Sequence, residues 1–507
     1  MSYNIWKKKP VEAFEADMKA SALKRVLGKW GLTSIGVGAI IGAGIFVMTG
    51  LGAKEYAGPA LALSFVVAGI GCTFAALCYA EFASFLPVEG SAYAYSYATM
   101  GEVFAWIIGW DLILEYAMAS SAVAVGWSGY LGKFLHLFDI KLPIWLMNDY
   151  HTAMSKILEA NEKGTVAALA NDYSDLSFPT VLGFNFSINL PAFLVIWVVT
   201  AILVKGIREA ASTNNLMVIL KVAVVLFIII VGAQHIHVEN WTPFIPEAGT
   251  YTPPGGKPHD AYGYLGILAG ASYIFFAYIG FDTVSTQAGE AKNPQKDVPF
   301  GIIVSLILCT ILYILVALVL TGMVNYKDID ITAPISAAFG AAGLGYAVFI
   351  ISIAALAGLT SVLIVMLLGQ SRIFYAISKD GLLPHRPFGE LHSKFKTPYK
   401  ASLLTGLAVS LVAAFTPIDS ISKMVNIGTL LAFAMVCAAV WLMRQRDPAR
   451  PRQFKAPFIN FVAPMGILFN VGMMLTLGWE NWARLVIWLL IGIVIYFLYG
   501  RKHSKLN

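Results

Sequence analysis

The chain has 507 residues, of which 58% are hydrophobic and 13% are charged, and its formal net charge is +6. Soluble domains carry about 25% charged residues, so half that share, with a mean hydropathy of +0.72, excludes an ordinary soluble protein. The apolar runs are long and continuous, which excludes the alternating pattern of a β-barrel and predicts an all-α integral membrane protein. No basic stripe lies on a soluble domain, so we expect no nucleic-acid partner.

About twelve membrane spans follow from the rule that roughly 20 apolar residues cross the hydrocarbon core as a helix. Residues 1–30 are polar and lack an early apolar core, which predicts a cytoplasmic N-terminal segment and no cleavable signal peptide. The predicted spans are 31–50, 59–86, 95–131, 189–204, 213–233, 262–288, 298–323, 344–371, 401–416, 424–443, 458–478 and 484–500.

Lysine and arginine are distributed unevenly between the loops on the two sides of these spans. With the N-terminus inside, 25 of the 35 fall in cytoplasmic segments, nine in outer loops and one, Lys221, within a span. Such an excess sets the orientation of membrane proteins. Both termini are therefore predicted to be cytoplasmic, and the net charge is a topology signal.

Small residues interrupt the first and the sixth predicted spans. The first contains Gly36-Val37-Gly38-Ala39-Ile40-Ile41-Gly42-Ala43-Gly44-Ile45-Phe46, and the sixth contains Phe275-Phe276-Ala277-Tyr278-Ile279-Gly280-Phe281-Asp282. The two lie five spans apart, so the second enters the membrane from the opposite side, as in inverted repeats. The prediction is a five-helix repeat at 31–233, a second, inverted repeat at 262–443, two further spans within 458–500 and a cytoplasmic tail at 501–507.

A broken helix survives inside a membrane only where its unwound backbone lines a cavity. Free amides at one half-helix attract a carboxylate, and free carbonyls at the other accept an ammonium. A ligand that carries both groups side by side is an α-amino acid. For the first motif alone, helix packing through Gly38 and Gly42 is the alternative, and the matched break with Asp282 favours the binding site.

Lys221 lies in a stretch, residues 215–230, that is otherwise apolar enough to span a bilayer. A lysine near the middle of a span costs about 2.5–3.5 kcal/mol on insertion scales, so it should face a polar cavity or a partner. A buried amine can also exchange its proton. Lys221 is therefore a candidate proton-coupling residue, and a permanently charged structural lysine is the alternative.

Signals for other kinds of site are weak. The four cysteines all fall within spans and have no metal-ligand spacing, which predicts packing roles. The pair His235 and His237 is predicted to lie in a surface loop. No catalytic triad order, phosphate loop or metal-binding helix appears, so we predict no enzyme, no metal site and no cofactor other than the coupling proton.

Several further motifs carry a family resemblance when they are taken together with the two breaks. They are Ala57-Gly58-Pro59-Ala60, Leu77-Cys78-Tyr79-Ala80-Glu81-Phe82, Gly90-Ser91-Ala92-Tyr93-Ala94-Tyr95-Ser96-Tyr97, Gly109-Trp110-Asp111-Leu112-Ile113-Leu114-Glu115-Tyr116, Glu290-Ala291-Lys292-Asn293-Pro294-Gln295 and Ser371-Arg372-Ile373-Phe374-Tyr375-Ala376. With these motifs the chain resembles the amino acid–polyamine–organocation (APC) superfamily, and within it the bacterial relatives of the cationic amino acid transporter family. The resemblance implies 12 transmembrane helices in the LeuT-type fold, with a 5+5 inverted repeat and two C-terminal helices, in the bacterial plasma membrane.

The resemblance also implies a set of site residues. The carboxylate-binding turn falls on Gly42, Ala43 and Gly44. The carbonyls of Ile40, Phe276 and Ile279 would take the substrate ammonium, with Ala277 in the same turn and Phe276 as an aromatic gate, while Glu115 and Ser120 would line the side-chain pocket. The lysine of proton-coupled relatives falls on Lys221, beside Thr360 or Ser361, where sodium-coupled members hold sodium. A fixed ammonium there disfavours sodium coupling.

The predicted function is secondary active import of L-amino acids by alternating access, coupled to protons through Lys221 and Glu115. Small neutral, alanine-like amino acids and cationic amino acids are both expected as substrate classes. The alternatives are exchange or facilitation without proton coupling, and a sensor that binds amino acids without transporting them. Membrane lipids are expected partners, an accessory subunit is left open, and the long outer loop 132–188 has no predicted role beyond a helix in its polar stretch.

Overall fold

Apolar helices dominate the structure, which is a computed structural model. It describes residues 6–10, 13–14, 27–86, 91–181, 183–205, 210–253, 258–286, 288, 291–395 and 397–506. Most of the predicted segment 1–30 and two residues of the resemblance motifs, Gly90 and Glu290, lie outside the described residues.

The first half of the chain contains ten α-helices among the described residues, with short π-helical and 3-10 segments between them. In chain order they are α1 (Lys29–Ile40), a π-helix (Gly44–Met48), α2 (Thr49–Gly52), a π-helix (Ala53–Ala57), a 3-10 turn (Gly58–Ala60), α3 (Leu61–Phe85), α4 (Ser91–Thr99), α5 (Glu102–His136), α6 (Ile144–Met147), α7 (Tyr150–Glu162), α8 (Val166–Asp172), the hairpin β1 (Thr180–Val181) and β2 (Phe184–Asn185), α9 (Leu190–Lys205) and α10 (Ala210–Gly232).

The second half begins with loop structure and continues with longer helices. In chain order it contains two 3-10 turns (Ala233–His235 and Val238–Trp241), the hairpin β3 (Gly249–Tyr251) and β4 (His259–Ala261), α11 (Gly263–Ile274), a 3-10 turn (Phe275–Tyr278), α12 (Thr283–Thr286), α13 (Pro294–Met323), a 3-10 turn (Tyr326–Asp328), α14 (Pro334–Ala341), α15 (Gly345–Lys379), a π-helix (His385–Gly389), α16 (Tyr399–Phe415), α17 (Ile418–Arg446), α18 (Ile459–Thr476), α19 (Trp479–Ile495), a π-helix (Tyr496–Gly500) and α20 (Arg501–His503).

Helices occupy all twelve predicted ranges. In the described part of the chain, nine helical segments are long and apolar enough to cross a membrane, and one of them, Lys29–Phe85, covers the first two predicted spans. The shorter apolar helices α9 and α16 fall on the fourth and the ninth. The chain is thus a multi-pass, all-helical membrane protein, while the number of crossings remains a prediction.

The third predicted span starts later than expected. Residues 95–99 belong to the separate helix α4, and α5 begins only at Glu102. The break between them is at Gly101, whose φ of +109° favours glycine, and a Cβ there would lie 2.7 Å from the Trp6 carbonyl oxygen. Every residue of α4 is buried. A hydropathy pattern therefore does not separate α4 from the span that follows it.

Ion pairs and hydrogen bonds close the end of the bundle that carries both termini. Glu81, fully buried at the end of α3, accepts from Arg444 at 2.6 and 2.9 Å and lies 3.2 Å from Arg452. The Asp380 carboxylate accepts from Lys9 at 3.1 Å and from the Tyr93 hydroxyl at 2.7 Å. Helix ends far apart in the sequence are therefore joined at this face.

Glu102 joins the C-terminal tail to the same face. It is buried at the start of α5 and accepts from the hydroxyls of Tyr97 and Tyr496, each at 2.9 Å, and from Ser504. A buried carboxylate needs such donors because an unpaired one would cost far more than the bonds contribute. The tail after α20 is therefore packed against the bundle.

Replacing Glu81 with glutamine is expected to destabilise the protein strongly. Removing one partner of a buried ion pair leaves the other uncompensated and costs about 3–5 kcal/mol. The measurement is the free energy of unfolding in detergent for the wild type and the Glu81→Gln variant. The control is Asp139→Asn, which changes a side chain that is 90% exposed. An equal effect of both substitutions would contradict a stabilising role for the Glu81 ion pairs.

Candidate substrate site between the two broken helices

The first predicted span is broken where its glycines lie. Helix α1 ends at Ile40, Ile41 and Gly42 are not helical, and winding resumes at Ala43. The amides that follow the break belong to the first turn of the second half-helix, where N–H groups have no intrahelical acceptor. Gly42, Ala43 and Gly44 are all buried, and N–H groups in the first turn of a helix suit a carboxylate.

The sixth predicted span is broken at the matching place. Helix α11 ends at Ile274, the 3-10 turn runs to Tyr278, and a non-helical stretch precedes α12. Gly280 has a φ of +123°, and a Cβ there would lie 2.8 Å from the Ala39 carbonyl carbon. The Asp282 carboxylate accepts from the Gly280 amide at 3.3 Å. This hydrogen bond pairs a backbone amide that the break removes from a helix.

The two breaks touch each other through their backbones. A Cβ added to Gly44 would overlap the Cα of Ala277 in the second break. The structure thereby brings together the predicted residues Ile40, Gly42, Ala43, Gly44, Phe276, Ala277 and Ile279. The amides that follow the first break and the carbonyls of the second, the groups that bind an α-amino acid in broken-helix transporters, therefore lie in neighbouring segments.

Side chains that the sequence reasoning missed hold the backbone groups around the breaks. Tyr313 donates to the Ile40 carbonyl at 2.7 Å and Tyr130 to the Phe46 carbonyl at 2.6 Å. Asn426 donates to the Ser272 and Tyr273 carbonyls at 2.9 and 2.7 Å. The signal was present, because a buried tyrosine or asparagine within an apolar span needs a hydrogen-bond partner.

Two of the carbonyls predicted to take the ammonium already accept one hydrogen bond. Ile40 is bonded by Tyr313, and the Phe276 carbonyl accepts from the Ile279 amide at 3.2 Å. A carbonyl oxygen has two lone pairs, so each retains room for a second donor. The existing bonds fix the directions in which these oxygens point.

Lys221 lies next to the first break. Its Nζ donates to the Gly38 carbonyl at 2.9 Å, and the side chain is 1% exposed. Gly358 on α15 makes room for it, since a Cβ there would lie 3.1 Å from the Lys221 Cε. The amine therefore joins α10 to the last turn of α1, two residues before that helix ends at the break.

The predicted hydroxyl partners of Lys221 differ from each other in their placement. The Thr360 hydroxyl accepts from the Trp127 indole at 3.0 Å and donates to the Leu356 carbonyl at 2.7 Å. It is directed to α5, so Thr360 is not a partner of the amine in this conformation. Ser361 is buried and one helical turn from Gly358, on the face that meets Lys221.

Glu115 and Ser120 lie on α5 and are buried. The Ser120 hydroxyl donates to the Tyr116 carbonyl of its own helix at 2.8 Å. Within the described residues Glu115 has one carboxyl oxygen, Oε2, and Asp111 has both oxygens without a hydrogen-bond partner. Four residues apart, Asp111 and Glu115 share one helix face, and their unused oxygens could accept a proton or an amine.

A large cavity leads toward the site from the face opposite the termini. Its volume is about 1220 Å³, and Val47 and Gly126 are among its lining residues. A Cβ on Gly126 would lie 2.8 Å from the Val47 side chain and 3.8 Å from the Ala43 Cβ. The cavity therefore reaches within one helical turn of the carboxylate-binding turn.

The predicted helix in the outer loop becomes two helices, α7 and α8, on the wall of this cavity. Lys54 on the second half of the first span pairs with Glu159 of α7 at 2.8 Å. The Tyr262 hydroxyl donates to the Lys54 carbonyl at 2.8 Å. These contacts tie the second half of the broken helix to α7 and to the residue directly before α11.

His259 of β4 packs at the same wall. Its ring stacks on Tyr56 with centroids 4.8 Å apart, and Nε2 lies 3.9 Å from the Glu55 carboxylate. Burial acts to lower the pKa of His259, but Glu55 and the Asp260 carbonyl raise it by more, so the pKa lies above its ordinary value. The folded state therefore favours the protonated imidazole.

The contribution of His259 to stability is expected to depend on pH. A raised folded pKa gives stability that is fully present below the ordinary pKa of about 6.5 and is lost as the pH rises through the folded pKa. The melting-temperature difference between wild type and His259→Gln should therefore be larger near about pH 5 than near about pH 8.5. The exposed His151→Gln variant is the control, and a pH-independent difference would contradict the pairing.

Substrate binding is expected to fail when Gly44 gains a methyl group. The Gly44→Ala side chain would overlap Ala277 and separate the two breaks, whereas Gly472→Ala on α18 meets no atom within 4 Å. The measurement is amino acid binding by purified, folded protein. We expect Gly472→Ala to bind like the wild type and Gly44→Ala to lose detectable binding. Retained binding in Gly44→Ala would show that the site lies elsewhere.

Comparisons with known proteins identify the family of the chain. A family model described as amino acid permease matches residues 27–503. The chain is 44% identical to the branched-chain amino acid permease BcaP of Bacillus subtilis (strain 168) over all of both chains, and 40% identical to the methylthioribose transporter of the same organism over 99% of each. It is 31% identical to the vacuolar cationic amino acid transporter 4 of Arabidopsis thaliana, over 96% of this chain and 93% of that one.

These relatives are named as permeases and transporters, which agrees with the prediction that the chain is not an enzyme. The predicted resemblance to the APC superfamily is confirmed. The chain is a member of the amino acid permease family.

Proposed function

We propose that the protein imports neutral amino acids with aliphatic side chains by proton symport, through alternating access around the two broken helices. The observation that carries the proposal is the contact between the breaks at Gly44 and Ala277, with the Lys221 amine on the Gly38 carbonyl beside it. Amides and carbonyls meet there as the two ends of an α-amino acid require.

The packing of helices supports the LeuT-type inverted repeat. If spans 1–5 and 6–10 are repeats, five pairs of spans correspond. Three of these pairs, the second with the seventh, the third with the eighth and the fourth with the ninth, pack together as α3 with α13, α5 with α15 and α9 with α16. A two-fold axis in the membrane plane brings equivalent helices into contact in this way.

The substrate class is inferred from the small, mostly apolar surroundings of the site and from the relatives. Val123 is buried, Gly126 lies against Val47, and the Ser120 hydroxyl is engaged by its own helix. Such a pocket suits an aliphatic side chain, and the relative of 44% identity is named for branched-chain amino acids. Glu115 is the feature that would serve a cationic substrate, the alternative class.

Lys221 is the proposed coupling residue. In the charged form, its bond to the Gly38 carbonyl at 2.9 Å holds α1 against α10. Loss of the proton leaves a neutral donor that binds more weakly, because hydrogen bonds from charged groups are roughly twice as strong. Release of α1 would then accompany proton release to the cytoplasm, with Glu115 as a second proton-carrying group.

The proposed orientation places both termini and the Glu81 and Glu102 clusters in the bacterial cytoplasm. The wide cavity then faces outward, and the closed, ion-paired end faces inward. Substrate would reach the breaks through the cavity and leave after the cytoplasmic helix ends separate.

Gradient-driven uptake is expected to require Lys221. Proteoliposomes with an inward proton gradient should accumulate labelled leucine with wild-type protein, while Lys221→Met should lose accumulation and keep binding. Lys205→Met, an exposed lysine at the end of α9, is the matched control. Equal wild-type uptake with and without the gradient would contradict symport and favour exchange or facilitation, and binding without any uptake would favour a sensor.

Competition for binding tests the substrate class. Leucine, isoleucine, valine and alanine are expected to displace the labelled substrate, while lysine, arginine and methylthioribose should displace it at least about tenfold less well, because a mostly apolar pocket is a poor match for a charged or bulkier polar group. Preferred binding of lysine or arginine would contradict the neutral class and assign Glu115 to the substrate side chain.

A further inference from the structure

A second cavity lies at the end of the bundle that carries both termini. Its volume is about 350 Å³, and it sits between the end of α15, the turn after it and the C-terminal segment that follows α19. It is lined by Tyr375, Ser378, Lys379, Gly381, Leu383, His385, Gly389, Tyr499, His503 and Lys505.

The lining has the chemistry of an anion site. It combines two lysines, two histidines, two tyrosines and a serine, and none of its described lining residues is a carboxylate. The nearest acid in sequence, Asp380, is directed elsewhere, since its carboxylate accepts from Lys9 at 3.1 Å and Tyr93 at 2.7 Å. The Ser378 hydroxyl already donates to the Pro384 carbonyl at 3.1 Å, and the ammonium and imidazole N–H groups suit phosphate oxygens.

The walls of the cavity are held together by contacts within the C-terminal segment and by contacts between that segment and the turn after α15. The His503 ring stacks on Tyr499 with centroids 4.1 Å apart, and its Nδ1 lies 3.0 Å from the Tyr499 carbonyl. The Lys505 amide donates to the Asp380 carbonyl at 3.1 Å. Gly381, with a φ of +85°, lies directly against the His503 carbonyl oxygen. The cavity is therefore a formed cleft between helices.

The position of the cleft is at a membrane boundary. Tyr375 belongs to the last turns of α15 and Tyr499 to the π-helix after α19, where aromatic side chains mark the headgroup level. Phe497 and Leu498, next to Tyr499, are 45% and 67% exposed on the surface of an apolar helix. A phosphate in the cleft would therefore have a lipid-facing apolar surface beside it.

We propose that this cleft binds the phosphate group of an anionic phospholipid of the cytoplasmic leaflet. Basic pockets between transmembrane helices on the cytoplasmic side bind anionic head groups, and the Lys379 and Lys505 ammonium groups are the expected main contacts. The leaflet assignment rests on the proposed orientation. Inorganic phosphate shares the chemistry of the head group, but it has no acyl chains to contact the exposed side chains of Phe497 and Leu498.

The cleft is separate from the substrate site. Gly358, which adjoins Lys221, and Ser378, which lines the cleft, are both on α15 and lie about 30 Å apart along it at 1.5 Å per residue. A lipid bound there would join the end of α15 to the C-terminal segment. We expect it to stabilise the closed cytoplasmic end without occupying the substrate pathway.

The test is lipid binding to the full chain in detergent, followed by native mass spectrometry and by melting temperature. Phosphatidylglycerol should bind and raise the melting temperature, and phosphatidylcholine with the same acyl chains should do neither. The Lys379→Gln/Lys505→Gln double variant should weaken phosphatidylglycerol binding at least about tenfold. The Lys505→Gln single variant changes only an exposed side chain and should give a smaller loss in the same direction.

The matched control is Lys394→Gln/Lys502→Gln, which removes two exposed lysines from the same face that do not line the cleft. Its phosphatidylglycerol affinity should stay within about twofold of the wild type, because neither ammonium group lines the cleft and exposed charges contribute little to binding when they make no direct contact. An equal loss in the control would overturn the proposal in favour of general surface attraction. Equal binding of phosphatidylcholine would overturn the recognition of an anionic head group, and equal stabilisation by inorganic phosphate alone would overturn the lipid assignment. Leucine uptake is measured in the same control variant. Its result tests the proposed transport function independently of lipid binding.

Discussion

The close approach of two interrupted helices is the constraint on which the rest of the structure depends. At Gly44 and Ala277 the backbones meet with no space for a further methyl group. A break in an apolar interior leaves amides and carbonyls that must find partners. Tyr313, Tyr130 and Asn426 satisfy several of the carbonyls around the breaks, and the amides of the first break belong to buried residues. The geometry that makes the break costly is also the one that supports the proposed binding site for an α-amino acid.

The remaining features position that pair of breaks. Lys221 and Gly358 brace α1 from one side, and Lys54 with Glu159 ties the outer half of the same span to α7. The end with both termini is closed by buried carboxylates that bind arginines and hydroxyls, whereas the opposite end has a cavity of about 1220 Å³. This asymmetry is what one state of an alternating-access cycle requires, with the site reachable from one side only.

Much of this arrangement could be predicted because it leaves local signals in the chain. Glycine clusters within apolar runs indicate breaks, so the breaks at 41–42 and 279–282 could be predicted. A lone lysine in a span indicates a polar partner, so the burial of Lys221 could be predicted as well. The roles of Tyr130, Tyr313 and Asn426 could be suspected only as unmet hydrogen-bonding needs, since their acceptors lie more than 80 residues away.

The errors also have physical reasons. Thr360 or Ser361 was expected beside Lys221, and the Thr360 hydroxyl instead accepts from the Trp127 indole, because position along a helix determines which neighbour a hydroxyl meets. The third span was predicted to begin at residue 95, although Gly101 separates α4 from α5. Hydropathy cannot distinguish a buried helix near the membrane surface from the start of a span. The ion pairs at both ends depend on loops whose docking no local pattern specifies.

A structure of the protein with bound leucine would test the central claim most directly. The account predicts the substrate carboxylate at the amides of Gly42, Ala43 and Gly44, its ammonium at the carbonyls of Ile40, Phe276 and Ile279, and its side chain toward Ser120 and Val123. Leucine bound only in the wide cavity near Lys54, with the two breaks in unchanged contact and nothing between them, would contradict it.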